Sequence, residues 1–145
     1  RGWLDTDILR DNGFNVHTIN NKESAFNMLS LNRADLFFRG INEIKDEYKN
    51  FSYIKNLDYD KTFIIYYPLP RFFYTHKSNK KIMIRIEEGI KLAYKDGSMD
   101  KLFDEYYRES ISFLDIKNRK IYKMKNPFLK DVNNSYEKYI YNPFK

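Results

Sequence analysis

The chain has 145 residues, 42% hydrophobic and 32% charged, with a mean hydropathy of −0.73 and a formal net charge of +6. That length suits one domain of ordinary size, and no uninterrupted apolar run approaches the roughly 20 residues of a membrane span. There is no cysteine, which excludes disulfides, thiol catalysis and thiolate metal sites.

Asp5-Thr6-Asp7-Ile8-Leu9 reads as the start of a short helix, with Asp5 or Thr6 as its cap and Leu4, Ile8 and Leu9 as its apolar side. Asn12-Gly13 ends it with turn chemistry. Phe14 to Ile19 alternates apolar and polar residues, which predicts a strand. A helix follows from Glu23 to Leu31, with Ala25, Met28 and Leu29 facing inward. The run Arg33 to Gly40 is apolar between charged ends, so we expect a strand buried on both faces. Ile41 to Tyr48 restarts a helix, with Glu43, Asp46 and Glu47 toward solvent. Thr62 to Tyr67 carries the strongest strand signal, and Pro68 and Pro70 bracket its exit. Arg71 to His76 reads as a second extended piece. Helix alternating with strand is the pattern of a doubly wound α/β sheet.

From Ser78 onward, Ile82, Ile86, Ile90 and Ala93 recur at helical spacing, with Met83 and Leu92 widening the stripe. Ser78 is the expected N-cap. Asp96-Gly97 stops this helix, glycine taking the left-handed conformation, and Ser98 is expected to cap a second helix with Met99, Leu102, Phe103 and Tyr106 on its apolar face. Arg119 to Tyr122 reads as a strand or extended arm. Asn126-Pro127-Phe128-Leu129 and Asn142-Pro143-Phe144-Lys145 are similar tetrapeptides whose prolines bar a continuing helix.

Residues 117–145 hold eight Lys/Arg against Asp131 and Glu137, a net +6, so residues 1–116 sum to zero. A basic, tyrosine-rich tail can touch nucleic acid or an anionic membrane. Its plainer reading is a solvated segment that packs its aromatics onto the body. No zinc finger, RNP-like sequence or glycine-rich phosphate loop speaks for nucleic acid.

His17 and His76 each lack a partner at metal-ligand spacing, and adjacent acids such as Glu87-Glu88 diverge on a helix rather than converge in a cleft. No motif of nucleophilic or metal-assisted catalysis occurs, so no catalytic residue, metal or cofactor is assigned. Better candidates lie where strands end and helices begin, since a helix N-terminus offers free N–H groups to an anion. One such place is the loop into the first helix, with Trp3, Asp5 and Thr6. The other is Arg39, just past an expected strand. Its guanidinium can hold a carboxylate bidentately or pair with Glu43 one turn on. With Tyr67 at the exit of the strongest strand, these residues make up the candidate ligand-binding set.

In order along the chain, Gly2 to Leu9, Gly13 to Val16, Met28-Leu29 through Asp35, Tyr66-Tyr67-Pro68 through Lys77, Ile82 through Tyr107 and Arg119 to Leu129 resemble the second half of a bacterial extracellular solute-binding protein of family 3. These are the amino-acid-binding components of ABC importers. The resemblance implies an α/β chain: the second lobe of a periplasmic-binding-protein type II fold, followed by the closing helices of the first lobe. Residues 1–68 would be the second-lobe segment, residues 69–116 the return crossover and helical hairpin of the first lobe, and residues 117–145 the tail. It implies a fragment, with the N-terminal half of the first lobe missing, from a periplasmic or extracellular protein. Its activity would be non-enzymatic binding of an amino acid or small carboxylate by hinge closure near residues 67–72, presented to a membrane permease or sensor. Amino-acid binders of the family carry an aspartate where this chain has Gly40, so Arg39 next to it points toward an anion or carboxylate. The alternative is a nucleic-acid or anionic-surface module acting through the tail.

Overall fold

A computed structural model of the chain describes residues 3–140, so the readings placed on Gly2 and on 142–145 lie outside it. The first helix, α1 (Leu4–Asp11), buries Ile8 and Leu9. Trp3 occupies its cap position without a side-chain bond, so neither Asp5 nor Thr6 is the cap. Asp5 and Asp7 lie in the first turn instead, where the helix's partial positive charge favours carboxylates. Helix α2 (Lys22–Ser30) starts from Asn21, whose side chain accepts the Ser24 N–H at 2.8 Å. Helix α3 (Ile44–Asn50) begins three residues later than the sequence suggests, because residues 40–43 form a turn closed by Glu43 N–H donating to the Gly40 carbonyl.

The fold is α/β in a broad sense: helices take up about half of the described residues (49%), and the sheet has two strands. Strand β1 (Phe63–Tyr66) pairs in parallel with β2 (Lys120–Lys123), Phe63 opposite Lys120 and Tyr66 opposite Lys123. Among the described residues, the other expected strands carry no ladder. Phe14 to Ile19 keeps its alternation, with Phe14, Val16 and Ile19 turned partly inward, yet forms no strand pair. Arg33 to Gly40 is not buried on both faces either. Leu36 is exposed, while Phe37 packs on Phe26 and Phe38 meets Phe14 edge-on at 5.3 Å. Aromatic contact has replaced strand pairing there. Residues 71–76 form no regular element.

The strands are joined through α4 (Lys80–Lys95) and α5 (Ser98–Phe113), which form the expected hairpin. Met83, Ile86, Ile90 and Ala93 are half-buried on α4, as are Met99, Phe103 and Tyr107 on α5; Ile82 and Leu92 stay exposed. The caps differ from those expected. Ser78 precedes α4, with its hydroxyl against His76 Nδ1, and the Asp96 carboxylate, not Ser98, accepts the Ser98 N–H at 2.9 Å. Ser110, buried at the far end of α5, donates to the Ile41 carbonyl at 2.8 Å. The core comprises Ile8, Leu9, Ala25, Phe26, Leu114 and Ile116. Part of the tail joins the body: β2 enters the sheet, and the Tyr139 ring lies 4.7 Å from Tyr94 of α4.

Gly97 has φ +78° and open space where a Cβ would sit. Gly97→Val should therefore cost more than ~1 kcal/mol through backbone conformation alone. Gly89→Ala, inside α4 and equally uncrowded, should instead add up to ~1 kcal/mol. Thermal melts of the two variants should move in opposite directions, and a matching pair of shifts would contradict the left-handed placement.

Candidate functional site

Because β1 and β2 are parallel, their carboxyl ends lie on one side, and α1 is fastened across that side. The Tyr67 hydroxyl, one residue past β1, donates to Asp5 Oδ1 at 2.5 Å. At the other end of α1, Asn12 Nδ2 donates to the Lys125 carbonyl at 2.8 Å, and its Oδ1 accepts the Lys125 N–H at 3.3 Å. Met124 N–H continues the ladder to the Tyr66 carbonyl, and Asn126 Nδ2 donates to the Pro68 carbonyl at 2.9 Å. The first turn of α1 and the exits of both strands thus meet at the place where ligands bind in open parallel sheets.

Burial, then the bond to the Asp5 carboxylate, pushes the Tyr67 hydroxyl above the usual phenol range. It therefore remains a donor at physiological pH, and the pair offers Asp5's second oxygen as an acceptor. Trp3 stands beside them, 75% exposed, its carbonyl accepting the Thr6 N–H. Of the five sequence candidates, Trp3, Asp5, Thr6 and Tyr67 share this corner.

Arg39 is held in a different cluster. Its Nε and Nη2 reach Glu47 Oε2 and Oε1 at 2.6 and 2.7 Å, and Nη2 also meets Glu43 Oε1 at 2.9 Å. Lys22 of α2 bonds Glu47 Oε1 at 2.9 Å, and the Phe37 ring lies under the guanidinium. Sequence reading turns Glu47 toward solvent; it is in fact buried, with 6% of its surface exposed. Its burial is possible because two cations and a forked geometry compensate the carboxylate. Burial raises the Glu47 pKa, but the Arg39 and Lys22 hydrogen bonds outweigh it and hold the carboxyl below its ordinary value.

The sequence reading also missed Asn12, Lys125 and Asn126. Asn12-Gly13 signals a turn and Pro127 bars a continuing helix, and neither signal discloses a partner 113 residues away, as Lys125 is from Asn12, or 58 away, as Pro68 is from Asn126. Among the described residues, no group of three or more His, Cys, Asp or Glu side chains is placed to hold a metal ion. No family model, no curated protein and no solved structure matches the chain.

Two outcomes follow from this geometry. Tyr67→Phe should lower stability by about 1–2 kcal/mol, since it strips a half-buried carboxylate of its donor; an unchanged urea midpoint would show that the bond contributes nothing. A carboxyl with a depressed folded-state pKa contributes stability above its unfolded value, and that contribution is lost as the pH falls through the folded value. Melting temperature should therefore drop as the pH falls below the ordinary glutamate value of 4.5. Glu47→Gln should flatten that acid limb while lowering stability at neutral pH by roughly 2 kcal/mol or more.

Proposed function

We propose that the chain is one part of a non-enzymatic, two-lobed clamp for a small polar solute, built like a periplasmic-binding-protein type II fold. In this reading residues 1–68 belong to the second lobe and residues 69–116 return to the first. A second α/β half supplies the other wall and packs on the side of α5 that presents Leu102 and Tyr106. The observation that carries the reading is the Tyr67–Asp5 bond, which fixes the first turn of α1 against the strand exit. The bond fixes Asp5 with Trp3 and Thr6 as its neighbours in the chain, and leaves a second carboxylate oxygen on Asp5. Recognition falls to Trp3, Asp5, Thr6 and Tyr67, because Arg39 is already held by two carboxylates. Solutes that donate hydrogen bonds to Asp5 suit this corner, which keeps amino acids in play through their ammonium group. Closure near residues 67–72 brings the second wall in, and a membrane permease or sensor in the cell envelope reads the closed state.

Trp3 is the single tryptophan, so its emission reports on the corner. Titration with amino acids, amines and small carboxylates should give a saturable change only near millimolar concentrations, about −4 kcal/mol, because one wall is present. Asp5→Asn should weaken the response. Silence toward every solute, or micromolar affinity from these 145 residues, would overturn the half-clamp.

A further inference from the structure

The side chains from Arg71 to Ser78 are all exposed, with Phe72 at 58%, Phe73 at 63% and Tyr74 at 95%. Helix α4 continues the same surface and buries no residue at all; Ile82 and Ile84 project from its first turns with more than half their surface open. Thr75, His76, Lys77, Asn79 and Lys80 bend around Met83 and Ile84 in one shallow, apolar-floored depression. Between Pro68 and Ile86 the sequence holds Arg71, Lys77, Lys80, Lys81 and Arg85 and no acidic residue. The first turn of α4 likewise carries no acid, and the nearest one along the helix, Glu87, is tied to Lys91.

We propose that this surface, Arg71 to Arg85, docks peripherally on an anionic lipid bilayer. Three exposed aromatics in a row reach the headgroup boundary, where such rings are favoured. Five cations with no ion pair among the described residues supply the attraction to anionic headgroups, and their aliphatic stems let them lie along the apolar side chains. The aliphatic component selects lipid over nucleic acid: the exposed Ile84, one turn on from Lys80 and Lys81, gains by entering acyl chains and nothing by stacking on bases. The contact is peripheral, since no helix among the described residues is long and apolar enough to cross a membrane. It does not depend on the solute-binding reading, which concerns the carboxyl end of the sheet and the α5 side of the hairpin and shares with this surface only Arg71 and Phe72 of the closing stretch.

Co-sedimentation of the whole chain with phosphatidylcholine vesicles, with and without phosphatidylglycerol, tests the assignment. Binding should require phosphatidylglycerol and weaken with added salt. The triple variant Phe72→Ser, Phe73→Ser, Tyr74→Ser should lose it, and Lys80→Gln, Lys81→Gln, Arg85→Gln should weaken it by about tenfold or more. These positions are exposed, so an unchanged melt accompanies both variants. Equal retention on neutral vesicles, or undiminished binding by either variant, would overturn the proposal. So would loss of binding caused by Lys120→Gln, Lys123→Gln, Lys125→Gln instead, or binding of single-stranded DNA in place of vesicles.

Discussion

The fold depends on one short parallel ladder between strands that the whole helical hairpin separates. Two strands alone are marginal in water, and closing a long loop to pair them costs entropy before any contact repays it. Bonds at both ends of the ladder make up the difference. At the amino end the Asp60 carboxylate accepts from Thr62 and Phe63 N–H, and Arg119 donates to the Asp60 and Leu114 carbonyls. At the carboxyl end Met124, Asn126, Lys125 and Tyr67 fasten the strand exits to each other and to α1. The corner proposed for solute binding is thus made by the same bonds that hold the sheet. Its rigidity comes from the ladder's need for support.

Glu47 plays the equivalent part on the other side of the core. It joins α2 through Lys22 and the Phe37-Arg39 segment through the guanidinium fork, and α5 is attached nearby through Ser110 and the Lys45–Glu109 pair. These bonds weigh against a ligand role for Arg39. Holding a ligand carboxylate would mean releasing Glu47, and uncovering one partner of a buried pair costs roughly 3–5 kcal/mol. A micromolar ligand brings only about 8 kcal/mol in total. A strut and a ligand grip compete for the same guanidinium, and burial decides for the strut.

Four of the five α-helices were legible because each has an apolar stripe at its own period, whereas α3 buries Glu47 instead; Gly97 announced its left-handed turn. The strand β1 was legible from an unbroken β-branched and aromatic run. The strands read over Phe14–Ile19 and Arg33–Gly40 were not, for a physical reason. Alternation reports which side of a segment is buried, and Phe14 and Val16 are turned partly inward as it suggests. Pairing needs a second backbone at ladder distance, and no residue in the segment specifies one. Glu47 was misread for a related reason, because helical spacing cannot see that Lys22 and Arg39 converge on it from other elements. Of the site, Asp5 and Tyr67 were found separately, and their bond belongs to the fold.

Charge shows the same division between composition and geometry. The sequence concentrates its net positive charge in residues 117–145, which makes the tail the alternative polyanion contact beside its plainer reading as a packed segment. Folding gives part of that charge a neighbour, while Lys120, Lys123, Lys125 and Lys138 stay exposed. Arg119 is bonded to two carbonyls, Lys120 and Lys138 lie over tyrosine rings, and Lys125 is anchored through its backbone on Asn12. Residues 71–85 carry fewer cations than the tail, but no acid interrupts them and exposed rings and isoleucines surround them. A surface potential depends on which charges remain uncompensated and beside what they stand. By that criterion the hairpin's basic end, with an apolar surface already in place for a partner, outranks the tail.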